Sequence, residues 1–413
     1  MTTDGNEGIS PAAGAPGNFG GLLRLYEDEL LGNVVPWWME HAIDHEFGGP
    51  METVTEDGRV TSDVKPIWSV GRALFIWSRL YNRIGARHDW LAVAESTFEL
   101  IADVGPRVGW TWPHSIERDG TPLEPGGDIY ADGFIMMGLA EYIRATGSER
   151  AIEAARSTWA TVEERMVPAN AKLVGRGDLG DDAASHGVSM IFSLVYHQLG
   201  TALADAEILA ASYDHALRVQ DLYLDAEHGL VREYLGADGS VLDGPMGRAC
   251  IAGHAVESAW FGLHIFHERN ERERVERAAE ALRSHIEASW DDEFGGFFGT
   301  IDVETGEPTA PESNKNMWPH TEALYGLLLA WALTGEQWCL DWYDRAHEWT
   351  WSHFPNHEHG EWHRQVTREG SYPWDVTGPG KKPRKEPLHL PRMLIQTVEL
   401  LRALEARRWR PFV

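Results

Sequence analysis

Apolar residues recur along this chain at three- and four-residue spacing, the signature of amphipathic helices. Such runs lie near 20–42, 66–84, 87–103, 128–146, 148–166 and 183–199, and again near 202–223, 250–268, 271–289, 317–334, 336–353 and 389–408. Pro66 suits a first helical turn, where its missing N–H costs nothing. Thr146-Gly147 and Thr334-Gly335 read as helix stops, glycine tolerating the left-handed backbone beyond the last turn.

Between the runs a second pattern repeats. His45 to Glu52, Val108 to Trp112, Glu227 to Val231, Asp292 to Phe298 and His359 to Trp362 each combine a glycine with a short extended stretch. A Gly-containing turn follows each, which predicts a small β-hairpin or an extended loop. Ala171 to Gly175 is a weaker sixth copy. The glycines step by roughly 54 to 66 residues, a period that suits one helix pair with its loops. Twelve helices in six pairs predict an all-α protein closed into an (α/α)6 barrel, with a cleft lined by loops at one end. An open solenoid shares the pattern. The predicted division is a disordered tail over 1–18, rich in Gly, Ala and Pro, and a single barrel domain over 19–413.

Charge narrows the partners. Lys+Arg is 36 against Asp+Glu 64, a formal charge of -28, so nucleic acid and anionic membrane surfaces are unfavourable partners. No apolar run is long enough for a transmembrane helix, and the first residues lack the pattern of a signal peptide. Cys250 and Cys339 are too few for a disulfide framework, which predicts a cytoplasmic location. Trp, at 19 copies, reads mainly as helical core, with sugar stacking as its other use.

Four groups of polar residues sit where a helix core would not place them. His254 and Glu257 are three apart near the start of an apolar helix and share a face. They suit a general base with its orienting carboxylate; a metal site and a plain buried hydrogen bond are alternatives. His389 opens the last helix, where the dipole disfavours imidazolium, after a basic Gly/Pro-rich loop over 378–387. Lys315, Trp318, His320 and Glu322 gather at a helix entry marked by Pro319. Arg72 lies inside the apolar stretch Trp68 to Trp77 and needs a partner or a cavity. The string Gly175-Arg176-Gly177-Asp178-Leu179-Gly180 lacks a βαβ context and reads as a turn. With no phosphate loop, His-Glu-x-x-His or Cys-x-x-Cys present, the residues support acid–base chemistry with no cofactor and no metal.

Together these segments resemble the N-acylglucosamine 2-epimerase superfamily, which includes cellobiose 2-epimerases and mannose isomerases. Gly71-Arg72-Ala73 and Glu141 to Gly147 are early pieces. Arg248 with Gly253-His254-x-x-Glu257-x-x-Trp260, Lys315-x-x-Trp318-Pro319-x-x-Glu322, and Lys385-x-Pro387-x-His389-x-x-Arg392 are sharper. The resemblance implies an (α/α)6 barrel, a homodimer and a cofactor-independent sugar 2-epimerase acting on an open-chain aldose of the N-acylglucosamine/N-acylmannosamine type. It implies His254 and His389 as the acid/base pair, Arg72 beside the sugar oxygens, and Glu257 as the carboxylate that orients His254. Glu322, Trp318, Lys315, Arg248 and Arg392 become substrate-binding candidates. Cellobiose epimerases and mannose isomerases carry a further His on a mid-chain inner helix. Here Met190 and Ile191 stand in that stretch, with His186 nearby, which points to the N-acylglucosamine branch. The rivals are an aldose–ketose isomerase of the same superfamily, a glycoside hydrolase using Asp128 and Asp132, a metal enzyme, and a non-catalytic sugar-binding protein.

Overall fold

The computed structural model describes residues 19–124, 126–166, 183–372 and 384–406. The tail over 1–18, the Gly175–Gly180 string and the 378–383 part of the basic loop lie outside them. All twelve predicted helices form. They are α1 (19–41), α2 (67–84), α3 (His88–Arg107), α4 (Ile129–Thr146), α5 (Glu149–Met166) and α6 (His186–Leu203). They continue with α7 (206–223), α8 (Ala252–Glu268), α9 (Arg272–Ser289), α10 (Met317–Thr334), α11 (Gln337–His353) and α12 (His389–Glu405). Gly147 and Gly335 end α4 and α10 in the left-handed conformation, as expected of helix stops.

The even-numbered helices form an inner ring. Each packs on the next in the order α2, α4, α6, α8, α10, α12, and α12 returns to α2. That contact closes the barrel and excludes the open solenoid. The inner helices are buried nearly all round: in α10, every residue from Met317 to Ala330 is buried except Trp318. Each odd-numbered helix packs outside the inner helix before it, and α1 covers α12. Outer helices therefore keep one apolar face, as in α9, where Val275, Ala278, Ala279, Leu282 and Ile286 are buried. At the C-terminal ends of the inner helices a buried ion network seals the ring. Arg79 Nη2 lies 2.8 Å from Glu399 Oε2, and Glu141 accepts from Arg79 and, at 3.0 Å, from Arg144.

The N-terminal ends carry the loops. Among the described residues four two-stranded sheets form, and they pair β1 (Lys65–Pro66) with β2 (Ser115–Ile116), and β3 (Ala183–Ser185) with β4 (Tyr234–Gly236). They also pair β5 (Ala249–Ile251) with β6 (Thr300–Asp302), and β7 (Lys315–Asn316) with β8 (Gln365–Val366). The recurrent glycine loops are a shared device. Bridges Ile43–Pro50, Leu224–Val231, Trp290–Phe297 and Pro355–Trp362 join residues seven apart. In each, Asp44, Asp225, Asp291 or Asn356 accepts two following backbone N–H groups. Two of these loops are tied down by a buried lysine. Lys65 Nζ meets Asp44 Oδ2 at 2.8 Å and the Gly48 carbonyl at 2.7 Å. Lys315 Nζ repeats this with Asp291 Oδ2 at 2.9 Å and the Gly295 carbonyl.

Candidate active site

The six inner helices open their N-terminal ends on a cleft of about 480 Å³, lined among others by Trp68, Arg72, Tyr130, Glu233, His254 and His389. Helix N-termini present unpaired N–H groups and the positive end of the dipole, so this end favours negative charge. Two are capped by side chains: Asp128 Oδ1 accepts from Ala131 N, and Ser185 Oγ from Gly187 N, both at 3.0 Å.

His254, in the first turn of α8, faces β4. Its Nδ1 lies 3.3 Å from Oε2 and 3.4 Å from Oε1 of Glu233. Glu233 also accepts from Ser185 Oγ at 3.0 Å and faces His186 Nδ1 at 3.4 Å. Burial alone would raise the Glu233 pKa, but His254 and His186 overcome it and hold the carboxyl well below its usual range. An Nδ1–H donated to this carboxylate makes Nε2 the nitrogen that carries the lone pair.

His389 begins α12. Its Nδ1 lies 2.8 Å from Glu322 Oε1, and its backbone N donates to Glu386 Oε2 at 2.7 Å. Glu322 also accepts from Arg392 Nη2 at 2.8 Å and, through Oε2, from Trp260 Nε1 at 2.9 Å. Arg392 Nη2 reaches Glu257 Oε1 as well, at 2.5 Å, and Glu257 Oε1 stands 3.9 Å from His389 Nδ1. Burial would raise the Glu322 pKa; Arg392 and His389 reverse this and keep it anionic.

Trp318 stands between the two imidazoles. Its ring centroid is 5.7 Å from that of His254 and 5.2 Å from that of His389. The indole rests on Gly253, where a Cβ would come within 2.2 Å of it. Opposite, Arg72 Nη1 pairs with Glu386 Oε1 at 2.7 Å, and its guanidinium lies 4.0 Å over Phe134. Burial lowers the Arg72 pKa, partly offset by Glu386 and Glu52. Met190 and Ile191 complete an apolar wall beside Phe134.

The sequence profile of the family described as N-acylglucosamine 2-epimerase (GlcNAc 2-epimerase) matches residues 48–383. The chain belongs to the N-acylglucosamine 2-epimerase family. It is a sugar 2-epimerase by class. N-acylglucosamine 2-epimerase of Homo sapiens is 31% identical over 394 residues, covering 91% of this chain and 90% of the relative. That of Bos taurus is 30% identical over 409 residues, covering 93% of both. The solved cellobiose 2-epimerase of Bacillus thermoamylovorans B4167 superposes with a TM-score of 0.79 at 17% identity, over 92% of this chain and 99% of that one.

Against that family frame, the expected residues fall into three sets. His254, His389, Arg72, Glu257 and Trp318 line the cleft. Glu322 and Arg392 are buried behind its wall, where they hold His389 and Glu257. Lys315 and Arg248 are elsewhere: Lys315 anchors its loop, and Arg248 pairs with Asp302 at 3.2 Å on β6. Glu257 does not orient His254. The two share a helix face, but Arg392 draws the carboxylate toward α12, and Glu233 takes its place. Glu233 and Glu386 were not legible as site residues; a carboxylate on the hairpin before α8, and one three residues before His389, were the available signals.

The rivals fare as follows. Asp132 is buried in an ion pair with Arg165 at 2.7 Å and does not line the cleft, and Asp128, which does, caps a helix, so these two do not form the pair of carboxylates across the cleft that a glycoside hydrolase would need. His254 and Glu257 fall in separate clusters, His186–Glu233–His254 and Glu257–Glu322–His389. In the second, Arg392 already supplies the cation between the two carboxylates.

Proposed function

We propose that this enzyme interconverts the C2 epimers of an open-chain N-acylglucosamine or N-acylmannosamine by two-histidine proton transfer. The observation that carries the reading is the pair of imidazoles flanking Trp318, each backed by a buried carboxylate. Ring opening exposes the C1 aldehyde. One histidine takes the C2 proton, the C2–H electron pair moves into the C1–C2 bond, and O1 becomes the oxyanion of a cis-enediolate. Arg72 stabilises that charge. The other histidine returns a proton to the opposite face of C2, and the carbonyl re-forms. Glu233 and Glu322 hold the histidines in the required tautomer, and Trp318 stacks on the sugar. The wall of Phe134, Met190 and Ile191 offers an apolar surface for an acyl methyl, and the bovine and human relatives are named for that substrate.

Cys250 and Cys339 are both buried and unpaired, in keeping with a reducing cytoplasm. Among the described residues no helix is long and apolar enough to cross a membrane. A homodimer rests on the family resemblance alone.

The test is proton NMR in D₂O. N-acetylmannosamine is expected to lose its C2 proton signal as its epimer appears; conversion of mannose to fructose instead would move the enzyme to the isomerase branch. His254→Ala and His389→Ala are each expected to abolish turnover while helicity survives. Near-normal activity in either variant would sink the scheme.

A further inference from the structure

His186 opens α6 behind the cleft wall, wholly buried and not part of the lining. Its backbone N donates to the Glu233 carbonyl at 2.9 Å, and its Nδ1 faces Glu233 Oε2 at 3.4 Å. One residue thus grips Glu233 by main chain and side chain. His254 Nδ1 lies 3.3 Å from the same Oε2, so two imidazoles share one buried carboxylate. The His389 side is built differently: there Arg392, not a histidine, stands behind Glu322. A guanidinium keeps its charge at any working pH, and an imidazole does not.

The His186 ring is held edge-on against Tyr223, with centroids 5.7 Å apart. Among the described residues its Nε2 has no hydrogen-bond partner. A proton on Nε2 would go unpaired and would turn the Nδ1 lone pair toward the carboxylate. The favoured form is therefore neutral, with Nδ1–H donated to Glu233. A carboxylate that accepts this N–H and the Ser185 hydroxyl has less charge left for His254. The other ionisable groups around it are Tyr130 and Tyr234 on the cleft wall, Tyr223, Cys250 on β5 and, acting on His186, His285 on α9. Burial, and Glu233 with it, pushes the Tyr223 hydroxyl up to about 12 and raises the Cys250 thiol. Burial lowers His285 to about 4, so these three stay uncharged near neutral pH.

We propose that His186 is a positioning residue for the epimerisation: it aims Glu233 at His254 and weakens that carboxylate's hold on the proton His254 carries. A reversible epimerase needs this. His254 must take a proton from C2 in one direction and return one in the other, and too strong a carboxylate would trap it as imidazolium. The inference rests on the two-histidine reading for the role of His254.

Two variants test it. His186→Leu removes the donor at similar size, and His186→Asn keeps an N–H near the Nδ1 position. The His254 pKa is read by imidazole NMR titration of histidine-labelled protein, and the acid limb of kcat/KM by C2 exchange. His186→Leu should raise both by roughly one unit, the scale of one lost hydrogen bond to a charged group. His186→Asn should bring both back toward wild type. An H186L enzyme that is slower at every pH, with the His254 titration and the acid limb unmoved, overturns the proposal, because that is a structural loss alone. Should H186L fail to fold, the wild-type tautomer decides, with the His186 signal assigned by its disappearance in H186N: Nδ1–H supports the proposal and Nε2–H overturns it. Activity lost in chelator and restored by a divalent ion would make His186 and Glu233 ligands, and overturns it too. Absence of C2 exchange with every sugar strikes the epimerase reading instead, and the His254 titration still decides the His186 assignment.

Discussion

Replacing Glu233 with Gln removes one charge behind His254 and little else. The amide oxygen can still accept from Ser185 Oγ, and the side-chain volume is nearly unchanged. What is lost is attraction between the carboxylate and the imidazolium that forms when His254 takes the C2 proton. Two unit charges about 4 Å apart attract by roughly 4 kcal/mol at an effective dielectric near 20. His254 retains 24% side-chain exposure, so solvent screens part of this. About 2 kcal/mol remains, which is roughly a 30-fold loss in kcat. The assay is the C2 exchange rate in D₂O at saturating sugar, with thermal unfolding measured alongside. A Glu233→Gln enzyme with native thermal stability and activity within about threefold of wild type would refute the assignment of this carboxylate. A parallel Glu257→Gln variant tells the two apart, since Glu257 is committed to Arg392 on the His389 side.

Gly253→Ala would drive a methyl into the Trp318 indole, 2.2 Å away. We expect kcat/KM to fall roughly tenfold or more through misplacement of the platform between the histidines, with modest change in thermal stability; unchanged kinetics would show that Trp318 does not set their spacing. Lys315→Met should destabilise the fold by about 3 kcal/mol in urea titrations at pH 7, because Asp291 loses a buried partner. Burial raises the Asp291 pKa, but Arg368 and Lys315 bring it down to about 2, so its ion pairs stabilise above the ordinary carboxylate range and fade as pH falls toward that value. Stability of the Lys315→Met variant should therefore fall less steeply between pH 4 and pH 2 than that of wild type, about the window between free and folded Asp. Unchanged stability with a raised KM would return Lys315 to the sugar site.

The helices were legible because burying one face of a helix imposes a 3.6-residue period, and the loops because glycine recurs where the backbone turns left-handed, as at Gly48 and Gly295. Ring closure was only suggested, since the contact of α12 with α2 joins distant parts of the chain. The same distance hid the partners of the site. Arg72 meets Glu386 across 314 residues and Arg392 meets Glu257 across 135, and no local spacing encodes either pair. Local spacing misled at Glu257: residues three apart share a face, but that face looks toward two neighbours. Lys315 and Arg248 stand close in sequence to cleft-lining residues, yet Lys315 on β7 turns back to Asp291 in its loop, and Arg248, at the end of the short helical turn Gly244–Arg248, pairs with Asp302.

The seam between the first and last described helices bears on how the chain can be cut. Tyr26 on α1 shares a 2.9 Å hydrogen bond with Tyr343 on α11, Glu27 pairs with Arg402 on α12, and Glu29 accepts from Trp362 Nε1. Gly20 lies against Glu405. The ends of the barrel are thus neighbours, and a linker could join them while new ends open at the turn after α6, on the face away from the cleft. A chain shortened by one helix pair is a different case. Its remaining walls would have to bend to meet, and the two histidines would no longer face one substrate.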